Sequence, residues 1–156
     1  MEKKKRISLW EAYLTKEIGI EFKACLYFFA ILFFYCVYRL INGNNQAGIL
    51  EMAEMIVSCY IIGYIQVYVF GNFDEADRLG LRECLGVAIC TIVYGLISFI
   101  ANWFERNILI TLLFAGYILL TYVCVFLVYR SKRRIDDKRL NENLRLFQTE
   151  HKKSES

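Results

Sequence analysis

The amino-acid sequence predicts an all-α integral membrane protein, a bundle of four transmembrane helices in one membrane domain, residues 1–156. Hydrophobic residues make up 57% of the chain, more than in most soluble domains. Their excess forms four blocks, at residues 22–41, 49–70, 84–104 and 108–129. A helix of about 20 apolar residues crosses a hydrocarbon core about 30 Å thick. A soluble fold would have to enclose four all-round apolar helices in one small core, which disfavours that alternative.

The positive charges are distributed unevenly around these blocks. Of the 19 Lys and Arg residues, only Arg39 and Arg106 lie in or beside the connections after the first and third blocks. Lys and Arg are retained on the cytoplasmic side of membrane proteins. The sequence therefore predicts that both termini and the middle loop are cytoplasmic. The two outer connections, residues 42–48 and 105–107, are very short, so the sequence predicts no outer receptor domain.

The segment before the first block, residues 7–20, is predicted to be an amphipathic helix. Its apolar residues Ile7, Trp10, Leu14 and Ile18 repeat at three- and four-residue spacing. Such a helix either lies in the membrane interface or packs on the cytoplasmic end of the bundle. The sequence does not separate these two alternatives.

The segment after the fourth block, residues 130–156, is a basic tail with no helix breaker at its start. We therefore expect the fourth helix to continue into it. A basic run beside a membrane attracts anionic lipid, at roughly 1 kcal/mol per charge. Leu140, Leu144 and Phe147 follow at helical spacing. This apolar stripe indicates either packing on the N-terminal helix or contact with a partner.

The loop between the second and third blocks carries an acidic cluster. It lacks the full spacing of a calcium loop, so we expect no metal there. Loop and tail both begin at inner ends of spans, where opposite charges can meet each other or a partner. The predicted cytoplasmic contact residues are Asp74, Glu75, Asp77, Arg78, Arg133, Arg134, Arg139, Leu140, Leu144 and Phe147.

A second group of charges lies toward the outer surface. Arg39 precedes the first outer connection, and Glu51 and Glu54 follow it on one face of the second helix. We expect a salt-bridged cluster that anchors the helices at the interface. The alternative is a proton- or cation-responsive site of the kind found in small drug/proton antiporters.

Catalytic chemistry finds little support in the sequence. The single histidine, His151, has no companion for a metal site or a triad, and the six cysteines include no CxxC pair. Buried cysteine behaves mainly as a small apolar residue. We therefore expect no enzyme activity, no cofactor and no metal.

Three stretches carry a family resemblance. They are GYIQVYVFGNFDEADRLG from Gly63 to Gly80, WFERN from Trp103 to Asn107, and the basic tail with its apolar stripe. Over residues 17–148 the chain resembles the bacterial membrane proteins grouped as domain of unknown function 3021 (DUF3021). Members are often encoded beside transcription regulators with a LytTR DNA-binding domain.

The resemblance implies a regulator in the bacterial inner membrane that restrains a cytoplasmic LytTR-type transcription regulator, without binding nucleic acid itself. The alternative is a small multispan transporter or an accessory subunit of one. The polar and ionisable groups in the spans would then take part in transport. The lipid bilayer is the other predicted partner, and the sequence leaves homo-oligomerisation open.

Overall fold

The computed structural model describes residues 9–71, 73 and 80–154, and among these residues there is no β-strand. Four α-helices follow one another along the chain. They are α1 (Leu9–Ile41), α2 (Ile49–Tyr68), α3 (Leu81–Ile100) and α4 (Ile108–Ser154). This confirms the all-helical prediction.

All four helices are long and apolar enough to cross a membrane. The candidate spans lie within Tyr13–Ile41, Ile49–Tyr68, Leu81–Ile100 and Ile108–Thr149. This is the pattern of a multi-pass membrane protein, and it confirms the predicted number of apolar helices. Helix α2 begins at the predicted residue and ends two residues earlier, and α3 begins three residues earlier and ends four residues earlier than its predicted block.

The helices form two hairpins, because α1 packs most extensively on α2, and α3 on α4. The seams between α2 and α3 and between α1 and α4 are less extensive. We call the end of the bundle with connections 42–48 and 101–107 the hairpin end. The opposite end, where α1 begins and α4 extends beyond the bundle, is the tail end.

The bundle has an apolar exterior and a partly polar interior. Large apolar side chains on all four helices face outward, among them Phe33, Ile61 and Leu113. Gln66 and Ser98, by contrast, are fully buried. Soluble proteins rarely expose apolar patches of this extent. The exterior is therefore suited to lipid.

Helix α1 is continuous from Leu9 to Ile41. A helix lying in the membrane plane would have to bend before entering a span, and α1 contains no such break. Its first turns instead pack on the end of α2. The Tyr64 hydroxyl donates a hydrogen bond to Glu17 Oε1, and Lys16 Nζ lies 5.8 Å from the centre of the Tyr68 ring. Trp10 and Ile18 of its apolar face are exposed, so the choice between the two alternatives for this segment stays a prediction.

The turn between α3 and α4 is longer than expected. Helix α3 ends at Ile100 because Asn102 adopts a left-handed conformation, with φ of 61°, and the Trp103 N–H donates to the Ser98 carbonyl at 3.1 Å. This is the Schellman type of helix ending. Trp103 and Phe104, predicted to end the third span, lie in this turn and are buried. The ring centre of Phe104 is 5.1 Å from that of Phe114.

Candidate functional site

At the hairpin end Arg39 and Glu54 of the predicted ionic cluster bond to other groups, and Glu51 lies against Gly48. Arg39 Nε donates to the Gln46 carbonyl at 3.2 Å, and its guanidinium lies 5.9 Å from the centre of the Tyr35 ring. Glu54 Oε2 accepts a hydrogen bond from Trp103 Nε1 at 3.1 Å. The carboxylate of Glu51 occupies the space that a side chain at position 48 would need.

The structure therefore does not bring Arg39 together with either glutamate as an ion pair, within the part of the chain that it describes. The physical reason is the path of the 42–48 connection. After Ile41 the chain turns at Gly43, and the Asn44 N–H bonds back to the Arg39 carbonyl at 2.9 Å. The Gln46 carbonyl is thereby presented to the Arg39 side chain, as an alternative to a carboxylate of α2.

The bundle interior holds polar groups that bear on the transporter alternative. Gln66 and Thr91 are buried, and their side-chain polar atoms have no hydrogen-bond partner among the described residues. Two clefts, of about 570 Å³ and about 210 Å³, open sideways at helix seams, between α1 and α4 and between α3 and α4. Both are lined mainly by apolar side chains. No described group of three or more His, Cys, Asp or Glu residues comes together as a metal site.

At the tail end, aromatic rings connect α1, α4 and the middle connection. The Tyr27 and Tyr122 ring centres are 4.7 Å apart, and Phe73 meets Tyr122 edge-on at 5.3 Å. Lys23 is only 2% exposed, with its Nζ 5.7 Å from the centre of the Tyr129 ring. Lys23 was not among the predicted site residues. Its position inside an apolar block could have indicated a buried contact, because an ammonium group so placed requires a specific partner.

The acidic residues of the middle loop, Asp74, Glu75 and Asp77, and the neighbouring Arg78 lie outside the described residues. Their predicted contact with the tail stays a prediction.

Beyond the bundle, α4 continues without interruption to Ser154. We call residues 130–154 the arm. An α-helix of 25 residues is about 37 Å long, so the arm is longer than the hydrocarbon core is thick. The predicted helical continuation is therefore present in the structure.

Every side chain of residues 134–149 is exposed. Leu140, Leu144 and Phe147 of the apolar stripe are 60%, 51% and 61% exposed. Residues separated by three or four positions share one helix face. Arg134 and Arg139 are exposed and Arg133 is half-buried. The stripe thus lies on an exposed face of the arm, and its two predicted roles, packing on the N-terminal helix or contact with a partner, stay predictions.

Comparison with protein-family models, curated proteins and solved structures found no match. The geometry of the arm and the bundle is therefore the basis for proposing a function.

Proposed function

We propose that this protein is a membrane-embedded regulatory protein whose arm holds a cytoplasmic LytTR-type transcription regulator at the membrane. The observation that supports this most directly is the exposed apolar stripe on a helix that leaves the bundle. Amphipathic helices that present anchors at three- and four-residue spacing commonly dock into apolar grooves of partner proteins.

The energetics of the arm favour a partner. An exposed helix is stabilised mainly by its own backbone hydrogen bonds and neighbouring side-chain pairs, and such helices are marginal in water. Burial of a Leu or Phe side chain contributes about 1.5–3 kcal/mol. Docking of the stripe would therefore stabilise the arm as well as the complex.

The charge distribution gives the proposed orientation. The arm and the start of α1 are at the same end of the bundle and carry most of the Lys and Arg residues. By the positive-inside rule this end faces the cytoplasm. The arm would then reach out from the bacterial inner membrane to where a transcription regulator is found.

The transporter alternative has weaker support. Its two best groups were Glu51 and Glu54, and Glu54 is engaged by Trp103 at the hairpin end. Buried Gln66 and Thr91 remain in its favour, since an unsatisfied polar group in a core is costly. The clefts between α1 and α4 and between α3 and α4, however, are lined mainly by apolar side chains.

Capture of the regulator from mild detergent tests the proposal. The tagged wild-type protein is expected to retain a LytTR-type regulator from the cells that express it, whereas Leu144→Ser with Phe147→Ser should lose it. The matched control is Ile135→Ser with Leu146→Ser, because these two exposed residues lie on the opposite side of the arm. Equal capture by both double variants would contradict docking on the stripe. Loss of self-association alone would make the stripe a contact between two copies.

A further inference from the structure

The seam between α1 and α4 at the tail end contains an open cleft of about 570 Å³. Apolar side chains form its walls, among them Phe22 and Leu26 from α1 and Val128 from α4. At Gly19 the space is unfilled, because an added Cβ would meet no atom within 4 Å. The cleft opens to the exterior of the bundle, where lipid surrounds a membrane protein.

One mouth of the cleft is basic. Lys132 lines the cleft and also the adjoining pocket of about 350 Å³, which it shares with Tyr129, Arg133 and Asp136. Lys132 is exposed and forms no ion pair with the described residues. The Lys132 ammonium group is therefore the feature of this mouth that favours an anionic group.

The length of the cleft matches one leaflet of a bilayer. Its α1 wall runs from Leu26 to Thr15, which at the rise of an α-helix is about 16 Å. Half of a hydrocarbon core about 30 Å thick is about 15 Å. The apolar walls therefore extend over the depth of one set of acyl chains, and the basic mouth lies where their headgroups would be.

We propose that this cleft binds one phospholipid with an anionic headgroup, its acyl chain along Phe22 and Val128 and its phosphate at Lys132. The general attraction of a basic tail for anionic lipid requires no cleft and no fixed number of bound lipids. The proposed site has a cleft and takes one lipid per chain. It places that lipid where α4 passes from the bundle into the arm. The inference rests on the membrane placement in the proposed function, and it is independent of the regulator.

Native mass spectrometry of the full-length protein in mild detergent tests the site, with phosphatidylglycerol and phosphatidylcholine as the probes. The wild-type protein should bind one phosphatidylglycerol per chain, about fivefold more tightly than phosphatidylcholine. That factor corresponds to about 1 kcal/mol of headgroup attraction. Lys132→Gln should remove the preference, and Lys138→Gln, which changes a lysine farther along the arm, should keep it.

A second pair of variants tests the cleft itself. Gly19→Leu places a side chain in the cleft and should weaken binding of both lipids at least tenfold. Gly116→Leu is its control, since position 116 also has open space around it but lies outside the cleft. Circular dichroism checks that each variant keeps its helix content. If Gly19→Leu does not fold, the Lys132→Gln and Lys138→Gln pair decides the question.

Equal binding of the two lipids by the wild-type protein would overturn the proposal, as would equal binding by the two leucine variants. A second copy of the chain in the cleft would appear as dimers that Gly19→Leu abolishes, and it too would overturn the lipid assignment. Capture of the regulator is measured separately, so its failure with lipid binding intact would count against the proposed function alone.

Discussion

The indole Nε1 of Trp103 donates a hydrogen bond of 3.1 Å to Oε2 of Glu54, across 49 positions of the chain. Trp103 lies in the turn between α3 and α4, and Glu54 lies in the second turn of α2. The bond therefore joins the two helix hairpins at the hairpin end. It also gives the half-buried carboxylate a partner that the sequence did not indicate.

A double-mutant cycle measures this bond. Hydrogen bonds to charged groups contribute about 1.5–3 kcal/mol, so Trp103→Phe and Glu54→Ala should each lower the unfolding free energy in detergent by at least that amount. The double variant should lose less than the sum of the two. Losses that add to within about 0.5 kcal/mol would mean that the two side chains do not interact.

The same measurement applied to Arg39 should give the opposite result. Since Arg39 bonds to the Gln46 carbonyl and lies on the Tyr35 ring, Arg39→Ala and Glu54→Ala should be additive. A coupling above about 1 kcal/mol would restore the ionic cluster expected from the sequence. Glu51→Ala serves as the parallel test for the other glutamate.

A third prediction concerns the close approach of the middle connection to α3. A Cβ at Gly86 would lie 2.9 Å from Phe73 and 3.1 Å from Phe70, so Gly86→Ala forces both rings to move. Overpacking of this kind costs about 1–3 kcal/mol. Gly116→Ala, in open space, should leave the unfolding free energy unchanged or raise it by up to about 1 kcal/mol. Equal effects of the two changes would show that Gly86 is not packed as described.

The sequence predicted the helices well because length and apolarity alone identify a helix that can span a membrane. It also predicted the helical continuation into the arm, since nothing after Tyr129 breaks a helix. The turn after α3 was not predictable in the same way. Trp103 and Phe104 are as apolar as the span before them, and only the left-handed backbone at Asn102 ends the helix.

Partners of charged side chains were harder to predict than helices. Arg39 has two carboxylates within a short stretch of sequence, yet it bonds to a backbone carbonyl that the path of the connection presents. Lys23 reaches the ring of Tyr129, more than a hundred residues away along the chain. Such pairings depend on tertiary geometry, which the spacing of residues in one sequence does not contain.

The fourth prediction is the orientation of the bundle. In a cysteine-free background, a cysteine at Asn45 should react with an impermeant maleimide added to intact cells, because the 42–48 connection is exposed. A cysteine at Ser156 should react only after the cells are permeabilised. Labelling of position 156 but not of position 45 in intact cells would reverse the proposed topology.

A reporter of the transcription regulator in cells tests most directly the proposed restraint of that regulator by the apolar stripe of the arm. Leu144→Ser with Phe147→Ser should raise the reporter while the amount of this protein in the membrane stays level. Ile135→Ser with Leu146→Ser, on the opposite side of the arm, should leave the reporter at its wild-type value. An unchanged reporter in the Leu144 and Phe147 variant, at an equal membrane level, would contradict the account.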